Sequence, residues 1–305
     1  MKLINQLVVT TLPFIPKQLI RFFANRYISG ETLESATDMV SKLNSKGAMA
    51  TLDVLGEDIT NRFEASQALE KAKETLRAIS GNRLDSNLSL KLTQYGLKLD
   101  KEFCLSNVRE IIQLAAAMNN FVRIDMEDHT CTDDTLEVYS RLRREFPNVG
   151  VVIQAYLRRS ETDVNRLFEL GANFRLCKGI YVEPEAIAFK DRREIQDNYL
   201  RLLETMLSKQ AYVGIATHDD YLIDGSTKLL HAYAVEKNKY EFQMLLGVRT
   251  ELRDALIREG HRVRIYVPFG VNWHQYSLRR FKENPEIAGY VLKAAFDFIR
   301  INGHH

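Results

Sequence analysis

The sequence predicts an α/β fold, a closed (β/α)8 TIM-like barrel that follows an N-terminal helical extension. The chain has 305 residues, 45% hydrophobic and 27% charged, which suits one large globular core. Eight short apolar segments alternate with helical patterns, as is typical of parallel strands joined by helices. No GxGxxG motif follows the first apolar segment, which disfavours the main alternative, an open doubly wound sheet.

Residues 1–46 are predicted to form the helical extension. Its apolar run, residues 7–15, contains Pro13 and leads into Lys17, Arg21 and Arg26, so we interpret it as an amphipathic helix rather than a signal peptide. A second helical pattern covers Glu31–Asn44. No segment is long enough to cross a bilayer. We therefore expect a cytoplasmic protein whose extension allows peripheral binding at the inner face of the cell membrane.

Residues 47–305 are predicted to form the barrel. Its strands are expected at Ala48–Leu55, Leu88–Thr93, Phe121–Met126, Val149–Tyr156, Asn173–Lys178, Tyr212–Thr217, Glu241–Leu246 and Val263–Val267. Pro268 and Gly270 are expected to end the eighth strand. The clearest intervening helices are expected at Glu64–Ile79, Phe103–Met118, Asp133–Phe146, Glu161–Leu170 and Ile195–Leu207. Asp133 is the expected N-cap of the third of these helices.

Polar residues gather at the predicted carboxyl ends of the strands, where barrel enzymes carry their chemistry. Lys91 and Arg175 interrupt apolar strands, and each charge is unfavourable to bury without a partner. The other polar or small residues at this edge are Asp125, Gln154, Lys178, Gly179, Thr217, His218, Asp219, Gln243 and Tyr266. Such a concentration at one edge indicates a binding site.

A helical segment after the eighth strand is predicted to present a cationic face. Tyr276, Arg280 and Glu283 recur at spacings of three and four, so they share one face with Arg279 beside it. Two adjacent guanidiniums can hold one carboxylate, and a tyrosine supplies an apolar wall. We expect a small carboxylate ligand here, next to a larger anionic ligand at the strand ends.

Composition argues against several other classes of site. The net charge of +2 gives no reason to expect a nucleic-acid partner. The three cysteines form no CxxC pair, which fits a reducing compartment and gives no metal-site spacing. His218 and Asp219 lack a second pair of ligands at helical or hairpin spacing, so no metal site is predicted. No serine nucleophile motif is present either.

Seven motifs, in chain order, closely resemble those of the proline dehydrogenase family. They are LKLTQYG, RIDMED, QAYLRR, RLCKGIY, ATHD, FQMLLGV and YSLRRFKEN. The match runs from about the first strand to the terminal helices, and the length resembles the monofunctional bacterial type. The resemblance implies a (β/α)8 barrel with non-covalent FAD, oxidation of L-proline to Δ1-pyrroline-5-carboxylate, and transfer of electrons to membrane quinone.

The resemblance also implies a role for each residue of the predicted site. The implied catalytic residues are Asp125 and Arg175, with Arg175 near the flavin N5. The implied substrate-binding residues are Lys91, Tyr266, Tyr276, Arg279, Arg280 and Glu283. The residues implied to contact the flavin are Met126, Gln154, Arg175, Lys178, Gly179, Ile180, Thr217 and His218. Ile180 stands where many relatives have alanine, so a backbone contact is expected at that position.

Two alternatives from other classes remain open at this point. One is a lyase that forms a Schiff base through Lys91 or Lys178, which would need no flavin. The other is a barrel that binds an anionic metabolite without turnover. Neither alternative accounts for both the arginine-rich helix and the RLCKGIY stretch.

Overall fold

Eight parallel strands form a closed barrel in the computed structural model, which describes residues 20–21, 24–274 and 276–278. The last strand closes the barrel by pairing with the first, from Met49 opposite Arg264 to Val54 opposite Phe269. In chain order the strands are β1 (Met49–Val54), β2 (Ser86–Leu90), β3 (Val122–Ile124), β4 (Val149–Gln154), β5 (Phe174–Cys177), β6 (Val213–Ala216), β7 (Tyr240–Leu245) and β8 (Val263–Phe269). The predicted (β/α)8 fold is confirmed.

In the part of the chain that the structure describes, one helix lies directly before the first strand, and one helix connects each pair of consecutive strands. These helices are α1 (Leu33–Asn44), α2 (Arg62–Gly81), α3 (Lys101–Ala117), α4 (His129–Glu145), α5 (Ser160–Phe168), α6 (Arg192–Ser208), α7 (Asp220–Ala232) and α8 (Thr250–Arg258). Several begin at a residue whose side chain accepts a hydrogen bond from the free backbone N–H groups of the first turn. These N-cap residues include Thr32, Asn61, Asp100, Asp128, Asp191 and Asp219.

Most strands turn an apolar face outward and polar side chains inward. Val122 and Ile124 of β3 lie in the apolar core, whereas Arg123 between them is only 2% exposed and points to the other side. Arg175 of β5 donates to Ser89 of β2, and these strands are not neighbours, so the contact crosses the interior of the barrel. Polar groups thus fill the inside, and the apolar core lies between the strands and the helices.

Several expected boundaries were wrong, three of them for a clear structural reason. Strand β2 ends at Leu90 rather than Thr93, because residues 92–95 form a 3-10 turn and Thr93 donates its backbone N–H to Glu127. Helix α4 begins at His129 because Asp128, not Asp133, is its N-cap. Strand β8 continues through Pro268 to Phe269. The missing N–H of this proline does not break the pairing, since the adjacent bond runs from Leu55 N to Phe269 O.

The described part of the predicted extension packs against the barrel. Val40 and Leu43 of α1 belong to the same apolar core as the strands, where α1 contacts β1 and β8. Residues 1–19 lie outside the described part of the chain, so the division at residue 46 remains a prediction. Among the residues that the structure describes, no helix is long and apolar enough to cross a membrane.

Candidate active site at the carboxyl ends of the strands

Lys91 lies immediately after β2, where the strand gives way to the 3-10 turn, and its ammonium group is held inside the mouth of the barrel. Its Nζ donates to Asp53 Oδ2 at 2.9 Å and to the Tyr266 hydroxyl oxygen at 3.3 Å. The side chains of Lys91 and Asp53 are 11% and 1% exposed. The three residues meet because β1 lies between β2 and β8 in the closed sheet. Lys91 is therefore a buried cation with a carboxylate partner, and it borders the mouth.

Asp125 and Arg175 form a second buried ion pair beside the first. Arg175 Nη1 lies 2.6 Å from Asp125 Oδ1, which also accepts from Ser89 Oγ at 2.5 Å. The other oxygen of Asp125 accepts from the Tyr266 hydroxyl at 3.0 Å. The Arg175 guanidinium also lies 5.5 Å from the centre of the Tyr266 ring. Tyr266 therefore joins the two ion pairs into one network.

The charges of this network set the protonation of Lys91 and Tyr266. Burial lowers the pKa of Lys91, but the negative charges of Asp53 and Asp125 outweigh this effect and raise the pKa above its ordinary value. Burial, followed by the charges of Asp125 and Asp53, raises the pKa of Tyr266 well above its ordinary value. Lys91 is therefore a cation and Tyr266 a neutral hydrogen-bond donor at physiological pH.

Gln154 and Met126 lie at the ends of adjacent strands, on the other side of Asp125. Gln154 is 2% exposed, and its amide Nε2 donates to Met126 O at 3.4 Å. Gln154 Oε1 is buried and accepts no hydrogen bond within the described residues. A buried acceptor without a donor is unfavourable, so this oxygen suits a ligand that donates a hydrogen bond.

The segment after β5 brings backbone and cations to the same edge. Gly179 has φ +109°, and a Cβ atom at this position would overlap the ring of Tyr156. Ile180, next to it, is 39% exposed, as expected for a residue that contributes through its backbone. Lys178 lies 3.3 Å from Asp219, and Arg192 also lies 3.2 Å from Asp219. Two cations share this one carboxylate, which leaves positive charge for an anionic ligand.

Thr217 and His218 follow β6 at the same edge. Thr217 is 3% exposed, and its hydroxyl oxygen accepts from the backbone N–H of Asp219 at 3.2 Å. His218 Nε2 accepts from the backbone N–H of Leu245 at 2.9 Å. That nitrogen must be unprotonated to accept this bond, so the imidazole is neutral. Within the described ranges, no group of three His, Cys, Asp or Glu side chains is placed to hold a metal ion.

The structure covers only part of the predicted carboxylate clamp. Tyr276 is described and is 5% exposed, and its proximity contributes, after burial and the two aspartates, to the raised pKa of Tyr266. Arg279, Arg280 and Glu283 lie outside the described residues. Of the three predicted cations of the clamp, Lys91 is therefore the one that the structure describes.

Three polar residues in the network were absent from the predicted site. They are Asp53, Ser89 and Glu241, and Gln243 was noted only as a residue of the rim. Asp53 could have been predicted from the sequence. A lone carboxylate in the apolar run AMATLDVL needs a cation when it is buried, and Lys91, on the next predicted strand, is a lone cation that needs an anion. Ser89 and Glu241 carried no comparable signal, since small polar or strand-initial residues are common in sheets.

A separate cavity of about 560 Å³ lies at the opposite end of the barrel, at the amino ends of the strands. Its lining includes Arg123, Glu241 and Arg264 but none of the predicted site residues. In barrels of this type, that end contributes stability, and the carboxyl ends carry the chemistry. We therefore assign the candidate active site to the mouth and not to this cavity.

The motifs imply a flavin. The mouth, at the carboxyl ends of the strands, offers hydrogen-bond acceptors and positive charges that suit one. The unpaired Gln154 oxygen suits a ring N–H. Gly179, which has a positive φ and no side chain, allows a ligand to approach the backbone closely. Lys178 and Arg192 supply positive charge for a diphosphate. The described residues therefore fit FAD.

Comparison with known proteins gives one consistent family. The family model described as Proline dehydrogenase matches residues 36–292. Proline dehydrogenase 1 of Bacillus subtilis subsp. natto is 41% identical over 90% of both chains. The proline dehydrogenase of Deinococcus radiodurans is 36% identical over 92% of both chains.

Solved structures show the same fold. Proline utilization A (PutA) from Bdellovibrio bacteriovorus, inactivated by N-propargylglycine, has a TM-score of 0.81 and 25% identity over 87% of this chain. PutA from Corynebacterium freiburgense has a TM-score of 0.77 at 19% identity over 96% of this chain. The present chain spans 33% and 34% of these two longer proteins, so it matches one part of each.

Proposed function

This chain belongs to the proline dehydrogenase family, and from that membership we propose that it oxidises L-proline to Δ1-pyrroline-5-carboxylate with non-covalent FAD as the first electron acceptor. The observation that carries the proposal is the buried network of Lys91, Tyr266, Asp125 and Arg175 at the mouth of the barrel. Their burial and their charges support a cationic substrate site, which the family resemblance implies lies beside a flavin.

The proposed substrate site holds the proline carboxylate and the ring separately. Lys91, held as a cation by Asp53, would attract the carboxylate, and the family resemblance implies that Arg279, Arg280 and Glu283 contribute to the same clamp. Tyr276 and Tyr266 form the walls against the apolar ring. The amine of proline must be uncharged to supply its lone pair, and a neighbouring ammonium group disfavours a second positive charge.

The proposed flavin site uses the ends of β4, β5 and β6. Gln154 Oε1 would accept a hydrogen bond from the ring system, with Met126 beside it, and Thr217 and His218 would line the opposite edge. Backbone at Gly179 and Ile180 would approach the ring closely, and Lys178 would neutralise a phosphate. When bound, FAD supplies the acceptor for the hydride that leaves proline C5.

Asp125 and Arg175 are the proposed catalytic residues. Arg175 carries a positive charge at 8% side-chain exposure, where few water molecules compete with it. Such a preorganised charge stabilises negative charge that develops beside it during reaction. Asp125 fixes the guanidinium through Nη1 and receives the Tyr266 hydroxyl, so the same carboxylate orients the charge and the substrate wall.

We further propose that a membrane quinone reoxidises the flavin and that the chain binds the inner membrane surface peripherally. The loop after β5 presents Val182, 98% exposed, and Ile180, 39% exposed, and apolar side chains of this kind suit an apolar acceptor or a membrane surface. Co-sedimentation with phospholipid vesicles that contain a quinone tests this proposal. A protein that stays in the supernatant both with and without proline would contradict it.

The deciding experiment is a visible absorption spectrum of the purified protein before and after anaerobic addition of L-proline. We expect flavin bands that bleach with proline. Flavin bands that ignore proline and bleach with another amine would change the substrate and keep the cofactor. A colourless protein that takes up no added FAD would overturn the proposal. N-Propargylglycine, which inactivates the Bdellovibrio relative, is expected to abolish turnover with proline.

The lyase alternative is less well supported by the geometry. A lysine must lose its proton to attack a carbonyl group, whereas Asp53 and Asp125 raise the pKa of Lys91. Lys178 is paired with Asp219 at 3.3 Å. A Schiff base needs a carbonyl substrate, which proline is not, so borohydride treatment in the presence of a small 2-oxo acid is the relevant test and is expected to leave the mass of the protein unchanged.

A further inference from the structure

We propose that Gln243, with its amide held by Glu241, is a positioning residue that fixes the guanidinium plane of Arg175. Both residues are buried. Gln243 contacts Arg175 and Glu241 contacts Gln243, so we expect both to act through Arg175. The proposal rests on the proposed function, because it assigns the reacting site to Arg175, and it adds two residues to that site.

Arg175 is held at two points on different sides of its guanidinium. Its Nε donates to Gln243 Oε1 at 2.5 Å, and its Nη1 donates to Asp125 Oδ1 at 2.6 Å. Contacts through Nη1 alone, to Asp125 and to Ser89 at 3.3 Å, would hold the planar group at one end only and leave it free to turn. The second contact, on Nε, removes this freedom. Gln243 therefore determines the plane of the guanidinium.

The amide of Gln243 can do this in only one of its two orientations. An arginine Nε–H can only donate, so the oxygen of the amide must face it. The nitrogen of the same amide then points away and donates to Glu241 Oε1 at 2.6 Å. A carboxylate ion can only accept, so Glu241 permits this orientation and opposes the reverse one. Glu241 thereby selects the face that Gln243 presents to Arg175.

Glu241 is itself fixed and charged. It accepts from Arg264 Nε at 2.7 Å and from the Tyr212 hydroxyl at 2.8 Å. Burial raises its pKa, but the charge and hydrogen bonds of Arg264 outweigh this effect and bring the pKa down to about 2. Arg264 in turn donates to Ala50 O of β1 at 2.6 Å. The chain of contacts therefore runs from the wall of the barrel to Arg175.

A small residue on the neighbouring strand makes room for the amide. A Cβ atom at Gly214 of β6 would overlap the Nε2 and Cδ atoms of Gln243. Since a side chain at this position would displace the amide, the glycine is part of the arrangement that holds Gln243 between Glu241 and Arg175. Gly214 therefore leaves room for the amide of Gln243 in its observed position.

The test compares Gln243→Met with Thr51→Val as a matched control. Methionine keeps the length of the side chain and removes both hydrogen bonds. Thr51 is also fully buried in the barrel, donates to Asn87 at 2.5 Å, and makes no contact with Arg175. Both changes therefore remove buried polar contacts from the same interior, but only one of them releases Arg175.

For Gln243→Met we expect kcat with proline to fall about ten- to a hundredfold, the loss expected when a reacting group is misplaced by about 1 Å. The KM for proline is expected to stay within about twofold. The flavin midpoint potential should fall as well, by about 30 mV for each tenfold loss of preference for the reduced form. Thr51→Val should change neither kcat nor the flavin midpoint potential. A kcat and potential equal to those of the control would overturn the proposal.

Gln243→Glu provides a second test that does not depend on the stability of the methionine variant. It keeps an oxygen for Arg175 Nε but places a second carboxyl group beside Glu241. Because the oxygen that faces Arg175 Nε is retained, a positioning role predicts a lower free energy of unfolding together with a smaller loss of kcat than in Gln243→Met. A kcat as low as that of Gln243→Met would contradict that role. If the unaltered protein does not bleach with proline, the proposed function fails instead, whatever these variants do.

Discussion

Lys91 is a buried charge at the mouth for which we propose two roles, one in stability and one in substrate binding. Its ammonium group neutralises Asp53, whose other oxygen, Oδ1, is buried without a hydrogen bond inside the described structure. Breaking a buried ion pair by removing one partner usually costs about 3–5 kcal/mol, because the remaining charge stays buried. Loss of Lys91 would therefore weaken the fold even if the residue bound no substrate.

A pair of variants separates the two roles of Lys91. Lys91→Met is expected to lower the free energy of unfolding and to raise the KM for proline at least about tenfold, since a charged contact is worth roughly 2–5 kcal/mol. The double variant Lys91→Met, Asp53→Asn leaves no unpaired charge, so stability should recover while the KM stays high. Denaturant unfolding and steady-state kinetics give the two quantities. A KM that recovers along with stability would restrict Lys91 to neutralising Asp53.

The loop after β5 is the element on which flavin binding is proposed to depend most. Glu183, 3% exposed, ties this loop to the start of α4 by accepting from the backbone N–H of His129 at 2.8 Å. The Tyr156 hydroxyl lies 3.4 Å from the same carboxylate. Because Tyr156 also packs against Gly179, the path of the backbone at the proposed flavin site is determined by the side chains of Tyr156 and Glu183.

Two glycines in left-handed conformations test this element. Gly179→Ala places a Cβ atom into the Tyr156 ring at φ +109°, so the loop must move and the FAD content of the purified protein is expected to fall by at least about half. Gly171→Ala is the control, since its φ is +58° and its nearest neighbour would be Arg143 Nη2 at 3.8 Å. The control should lose roughly 1–2 kcal/mol of stability from backbone strain and keep its FAD. Equal FAD content in both variants would contradict the proposed backbone contact.

At the scale of the whole molecule, the barrel is closed around charged side chains rather than apolar ones. Burial, together with the nearby charge of Arg175, lowers the pKa of Arg123 to about 9. Glu241 and Arg264, both buried, pair across neighbouring strands β7 and β8. Such pairs stabilise the fold only while both partners are charged, so the stability of the whole barrel should depend on pH.

Glu241 is expected to make the barrel sensitive to acid. Its pKa is about 2 in the folded chain and about 4.5 when unfolded, so folding favours the ionised form by roughly 3 kcal/mol. This contribution is complete above about pH 4.5 and is lost as the pH falls toward about 2. The free energy of unfolding should therefore fall more steeply in this range for the unaltered protein than for Glu241→Gln. Parallel pH profiles for the two proteins would show that the pair contributes no pH dependence.

The sequence alone determined the order of the elements and the edge that carries the site. Strand and helix periodicities differ, so eight alternations of apolar and amphipathic segments were enough to predict the closed parallel barrel. The carboxyl ends of parallel strands share one edge, and this placed Lys91, Asp125, Gln154, Arg175 and Tyr266 at a common mouth. The family motifs then assigned roles to these residues.

Only the tertiary structure decided which of these side chains touch. Periodicity tells which face of a strand a residue occupies, but not which residue lies opposite it across the barrel. Arg175 meets Ser89, which is 86 positions away, and Gln243, which is 68 positions away. Those contacts depend on the register of eight strands and on the closure of β8 against β1. The structure added Glu241 and Asp53 to the candidate site for the same reason. A buried charge needs a partner, and their partners, Arg264 and Lys91, lie on or immediately after other strands.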